Sequence, residues 1–157
     1  MGPRIIALGQ RAAGDDGVGL AVLERLRTRA GCDVELCVAP DEAALLSLLA
    51  TPRQVVLVDA LLREPAGAVV EIAPESLETC SRCGVSSHGL AVAQAIALAR
   101  ALEPETLAPR ISIVAVTIGR PALLQEGLSP QVEAAVSHAA EAALVCARRD
   151  PSGLRWP

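Results

Sequence analysis

Residues 54–60 read QVVLVDA and residues 109–119 read PRISIVAVTIG. Both are near-continuous apolar runs rich in β-branched residues. They lack the polar alternation of a strand with one face in water. Strands of this kind must be covered on both faces, which calls for a mainly parallel sheet between layers of helices. RIIALG near the start, DVELCVA at 33–39 and AGAVVEIA at 66–73 read as further strands, the last entered through a turn at Glu64-Pro65. Between them stand segments with helical spacing. In GVGLAVLERLRTRA, Val18, Val22, Leu23 and Leu26 share a face, and Gly31 is the stop signal. EAALLSLLA has Asp41 as its N-cap, and HGLAVAQAIALARAL is stopped by Glu103-Pro104. SPQVEAAVSHAAEAALVCARR has Ser129 as N-cap and Pro130 at the first helical position.

The resulting order, β-α-β-α-β-β-α-β-α, predicts a three-layer α/β sandwich. Its sheet is twisted, five-stranded and mainly parallel, with one antiparallel strand and helices on both faces. AVVEIA follows VVLVDA through a short turn with no helix between, so it is the antiparallel member, at an edge. The length suits one domain spanning 1–150, with 151–157 a loose C-terminal tail.

Charge and composition exclude several classes of partner. The net charge is -4 and no basic block stands out, so nucleic acid has no electrostatic footprint. Phe and Tyr are absent and Trp156 is the only aromatic, which removes a base-stacking platform and leaves a core of Ala, Val, Leu and Ile. The longest apolar segment, GLAVAQAIALARAL, is interrupted by Gln94 and Arg100 and is too short for a bilayer. No secretory signal opens the chain, so a cytoplasmic protein without membrane contact is expected. Five cysteines, an odd number, do not read as a disulfide framework.

In sheets of this class ligands bind at the carboxyl ends of the strands. Three polar features fall there: Asp15-Asp16 after the first strand, Asp59 closing VVLVD, and His88 heading the third helix. The loop GQRAAGDDGVG has the glycine spacing of a phosphate loop, yet two aspartates occupy the positions that need Lys and Ser or Thr, so it is built to meet a cation. Asp16, Asp59 and His88 together form an O,O,N donor set suited to nickel, zinc or manganese, and donor type does not choose among these. The lone pair Cys80 and Cys83 has no second pair at zinc spacing and sits in a segment, LETCSRCG, that reads as loop. GVSSH approaches a nucleophile elbow but has His where the last glycine belongs. His138 lies mid-helix on an exposed face.

These pieces together resemble the hydrogenase maturation proteases, nickel-dependent endopeptidases of the HybD and HycI type. The resemblance rests on an apolar strand ending in Gly9, then GDDGVG, a strand ending in VDA, SSHGL opening a helix, and GLSPQVEAAV entering the last one. It runs from about Ile5 to Ala147. It implies an endopeptidase that trims the C-terminal extension of a nickel-iron hydrogenase large-subunit precursor once nickel is installed. The nickel is presented by that substrate, and the metal-contacting trio maps onto Asp16, Asp59 and His88, which would also be the catalytic residues. The family commonly has Asn where this chain has Gln10. An imidazole ligates only when neutral, so activity should fall on acidification. Two other readings fit the same residues: a nickel-checking module that binds without cutting, and a phosphate- or nucleotide-binding α/β protein, which the aspartate pair opposes.

Overall fold

A computed structural model describes residues 2–9, 11–29, 31, 33–80, 87–120 and 126–150; the side chains of 11–13, 78–80 and 87–90 fall outside that description. The expectations at Gln10, Cys83, GVS (84–86) and the tail 151–157 therefore lie outside the described residues.

The elements run β1 (Arg4–Ala7), a 3-10 turn (Arg11–Gly17), α1 (Val18–Arg27), β2 (Glu35–Val38), α2 (Glu42–Leu49), β3 (Val55–Leu62), β4 (Val69–Ile72), α3 (Pro74–Cys80), α4 (Ser87–Leu102), β5 (Ile111–Ile118) and α5 (Pro130–Arg148). The sheet order is β2-β1-β3-β5-β4. β1, β2, β3 and β5 are parallel, and β4 lies antiparallel at the edge, as its sequence context predicts. Its partner is β5 and not its chain neighbour β3, because β3 pairs with β5 over eight residues and leaves no edge for a hairpin.

The long apolar strands are covered on both sides. On one face α1 and α5 pack Val18, Val22, Leu26, Val132, Ala139 and Ala143 onto Ile5, Val56, Val58, Val114 and Val116. On the other, α2, α3 and α4 pack Leu45, Leu49, Leu77, Val92 and Ile96 onto Ile6, Leu8, Leu57 and Ile113. Along β3 the even positions face α1 and α5 and the odd positions face α2–α4, the period of two that any strand imposes. With no Phe or Tyr to fill space, small residues let the layers approach closely. Ala135, Ala139, Ala140 and Ala143 form the inner face of α5, each buried.

Several local expectations need correction. α3 occupies 74–80, so the start of LETCSRCG is helix and not loop. That helix is only seven residues long, with Leu77 the one buried apolar side chain among those described, and so short a segment gives too little for a periodic signal. His88 consequently heads the fourth α-helix. GDDG is a 3-10 turn and not an open loop. α1 ends at Arg27, well before Gly31, where the Thr28 hydroxyl donates to the Arg25 carbonyl at 2.9 Å. α4, apolar on most of its surface, buries Val92, Ala95 and Ile96 but leaves Leu98 and Leu102 45% and 69% exposed. Asp41 caps α2 as expected, accepting from the Ala44 amide at 2.8 Å.

Candidate functional site

From β1 the chain crosses to β2 on one side, and from β3 it proceeds to β5 on the other. The direction of winding reverses between β1 and β3. Helical connections therefore part there and leave a crevice outside the carboxyl ends of those two strands, the usual ligand position in such sheets.

Asp59 was expected to close its strand. It does not: β3 continues to Leu62, with Asp59 paired to Ala115. β1, however, stops at Ala7 opposite Val58. Asp59 is thus the first β3 residue to pass the end of its neighbour, at the edge of the crevice. As an odd position it faces the α2–α4 side, where it lines a cleft of about 20 Å³ with Leu8, Leu57, Leu77, Val92 and Ile113. Its side chain is 5% exposed, and Oδ1 accepts from the Ala60 amide at 2.8 Å, which fixes the carboxylate against its own backbone.

Asp16 is the next-to-last residue of the 3-10 turn after β1 and is 7% exposed. Two glycines press this turn onto the sheet. Gly9 holds φ +114°, and a Cβ there would run into the Asp16 carbonyl oxygen. A Cβ at Gly19 would collide with the Leu8 carbonyl and lie 2.7 Å from that of Val58. These glycines serve close packing of backbone on backbone.

The two aspartates of the pair have different surroundings. Asp15 reaches away from the crevice to the start of α5, accepting from the Ser129 amide at 2.6 Å and the Ser129 hydroxyl at 2.8 Å. Ser129 occupies the N-cap position as expected, but its hydroxyl makes no bond to the helix because it is committed to Asp15. Sequence reading finds the cap and misses the clasp, since 114 residues separate the partners.

His88 is the second residue of α4, one helical turn before Val92, whose side chain lines the Asp59 cleft. Its side chain lies outside the described residues. Among the described residues, no three His, Cys, Asp or Glu side chains form a group able to hold a metal. Of the three expected ligands, Asp16 is buried in the turn after β1 and Asp59 is buried on β3 just past the end of β1, and for His88 the backbone position alone is described.

A larger groove of about 510 Å³ adjoins the crevice, lined by Gly9, Ala39, Pro40, Glu42, Leu45 and Ala91 among others. Leu8 and Val92 line both the groove and the Asp59 cleft, so the two are neighbours across those side chains. The described thiols are poor nucleophiles. Burial pushes Cys37 up, and burial with the Glu71 carboxylate pushes Cys146 up to about 11. His138 is exposed on α5, as its sequence context suggests. No helix among the described residues is long and apolar enough to cross a membrane.

No family model matches the sequence, and no curated protein does. The fold does match solved structures. The hydrogenase maturating endopeptidase HybD from Escherichia coli superposes with a TM-score of 0.77 at 22% identity, over 94% of this chain and 93% of that one. The [NiFe] hydrogenase maturation protease HybD from Thermococcus kodakarensis gives 0.77 at 24% identity, over 94% and 100%. HycI, a [NiFe] hydrogenase maturation protease from Thermococcus kodakarensis KOD1, gives 0.68 at 24%, over 93% and 92%. The architecture is therefore that of these proteins along nearly the whole chain.

Proposed function

We propose that this chain is a hydrogenase maturation endopeptidase, which removes the C-terminal extension of a nickel-iron hydrogenase large-subunit precursor after nickel insertion. The observation that carries this reading is a pair of buried aspartates at the carboxyl end of the sheet, Asp16 in the turn after β1 and Asp59 on β3 just past the end of β1. Ligands bind at this end of such sheets, and oxygen donors gathered there suit a cation. Solved structures sharing the fold bear the names of proteases of this activity.

The donor set fits a borderline divalent metal. Two carboxylate oxygens and the imidazole of His88 would contact the nickel that the precursor carries in with it. Bound there, the nickel supplies charge that polarises the scissile carbonyl or orients the attacking water. Asp16 and Asp59 hold the metal-bearing end of the precursor at the rim. The Asp59 cleft, walled by Leu8, Leu57, Leu77 and Val92, keeps bulk water away. The groove beside the crevice, with its mainly aliphatic lining, suits an extended peptide leading away from the cut bond.

The test is a mass measurement. Purified protein mixed with nickel-loaded precursor is expected to shorten it, while nickel-free precursor stays intact. Asp16→Ala and His88→Ala should leave a folded protein that does not process. Binding of loaded precursor without any mass loss would instead establish a nickel-checking module, and processing by both variants would remove the proposal.

A further inference from the structure

The pair Asp15-Asp16 places two acids side by side where a single metal-contacting carboxylate would suffice. The structure separates their surroundings. Asp16 is buried in the turn after β1, and Asp15 grips Ser129, the N-cap of a 19-residue helix packed on the face of the sheet opposite α2–α4. We infer that Asp15 is a positioning residue for the processing reaction, fixing the turn that carries Asp16 by clasping Ser129 at the entry to α5. This rests on the function proposed above and adds a residue to it.

The geometry makes the clasp rigid. Two hydrogen bonds, at 2.6 and 2.8 Å, run from the backbone and side chain of one residue to the two oxygens of one carboxylate. A carboxylate held this way has no free rotation about its terminal torsion. The bond to the backbone amide sits at a helix N-terminus, where negative charge is favoured. α5 itself cannot yield, because Val132, Val136, Ala139 and Ala143 bury it against β3 and β5. On the other side of the turn, the carbonyl of Asp16 rests against Gly9, where no Cβ would fit. The short stretch from the Asp15 side chain to the Asp16 carbonyl is therefore held at both ends, by the clasp and by the glycine contact. A displaced metal ligand misaligns the cut bond, and a shift of about 1 Å is enough to cost on the order of 100-fold in rate.

The experiment is a double-mutant cycle read by precursor processing, on the full chain with nickel-loaded large-subunit precursor. Asp15→Ala is expected to lower kcat by on the order of 100-fold and leave KM within about twofold, since Asp15 faces away from the groove. Ser129→Ala, which keeps its backbone donor, should lose about tenfold. The double variant should be no slower than Asp15→Ala, because the two residues act as one unit. Asp15→Asn retains an acceptor for the amide and should recover most of the rate. Should Asp15→Ala fail to fold, Ser129→Ala and Asp15→Asn still decide the matter through the same split. Unchanged kcat in Ser129→Ala, losses that multiply in the double variant, or a change confined to KM would overturn the inference. Wild type unable to process loaded precursor would overturn the parent function and this role with it. Wild type that processes beside an equally active Asp15→Ala would remove the clasp alone.

Discussion

The two ends of the sheet use their charges in opposite ways. At the amino end, acids meet guanidinium groups near the surface. Arg4 and Arg53 both reach Glu35, at 2.6 and 3.3 Å, Arg100 pairs with Glu75 at 2.9 Å, and Arg148 lies 3.7 Å from Asp33. Arg149 closes the same end of α5 with two contacts to Glu71, and the Gln54 amide donates to the carbonyls of Cys146 and Ala147. At the carboxyl end, Asp15 and Asp59 accept from backbone amides and a hydroxyl, and Asp16 and Asp59 are buried. Exposed ion pairs contribute little, roughly 0.2–1 kcal/mol each. One end is a set of modest surface ties between side chains, and the other holds its acids buried or bonded to backbone amides.

This contrast can be broken most severely by loosening the close packing that holds the carboxyl end. Gly19→Ala drives a Cβ into the Leu8 and Val58 carbonyls, which are backbone and cannot move aside. It should lower the unfolding free energy by about 3 kcal/mol, measured by urea denaturation. A loss below about 1 kcal/mol would mean that α1 can lift from the sheet freely, and that the turn is not clamped. A finer comparison sets one acid from each end on the same denaturation assay. Asp59→Asn keeps an acceptor for the Ala60 amide at nearly the same volume, so stability should hold within about 1 kcal/mol. Glu35→Gln should cost only a few tenths, roughly, because that carboxylate is 37% exposed.

The Glu35 effect also carries a pH signature. The hydrogen bond from Arg4 holds its carboxyl below the ordinary value of 4.5, with the charges of Arg4 and Arg53 adding to this and partial burial opposing it. A folded value below the unfolded one means the contribution is fully present above about pH 4.5. It is lost as pH falls through the lowered folded value. The gap between wild type and Glu35→Gln should thus be constant near neutrality and close in acid. A gap that widened in acid would reverse the assignment.

Much of this was legible in the sequence, for identifiable reasons. The apolar runs of β3 and β5 announce burial on both faces, and Asp41 and Pro130 mark their helix starts through local rules that need no tertiary contact. α3 escaped because a seven-residue helix is too short to show a period. Asp59 was placed at the right rim for the wrong local reason: the strand does not end there, its neighbour does, and pairing register is a property of two segments. The division of labour between Asp15 and Asp16 was equally invisible, since adjacent identical residues differ only through a partner far along the chain.

The central claim is that Asp16, Asp59 and His88 contact nickel carried by another protein. The most direct measurement is the nickel K-edge absorption spectrum of loaded precursor, alone and frozen with this protein before turnover. The account predicts added oxygen and nitrogen scatterers in the nickel shell on mixing, with the nitrogen contribution lost in His88→Ala and the oxygen contribution reduced in Asp59→Asn. A nickel shell unchanged by mixing with a wild-type protein that nonetheless processes the precursor would contradict it.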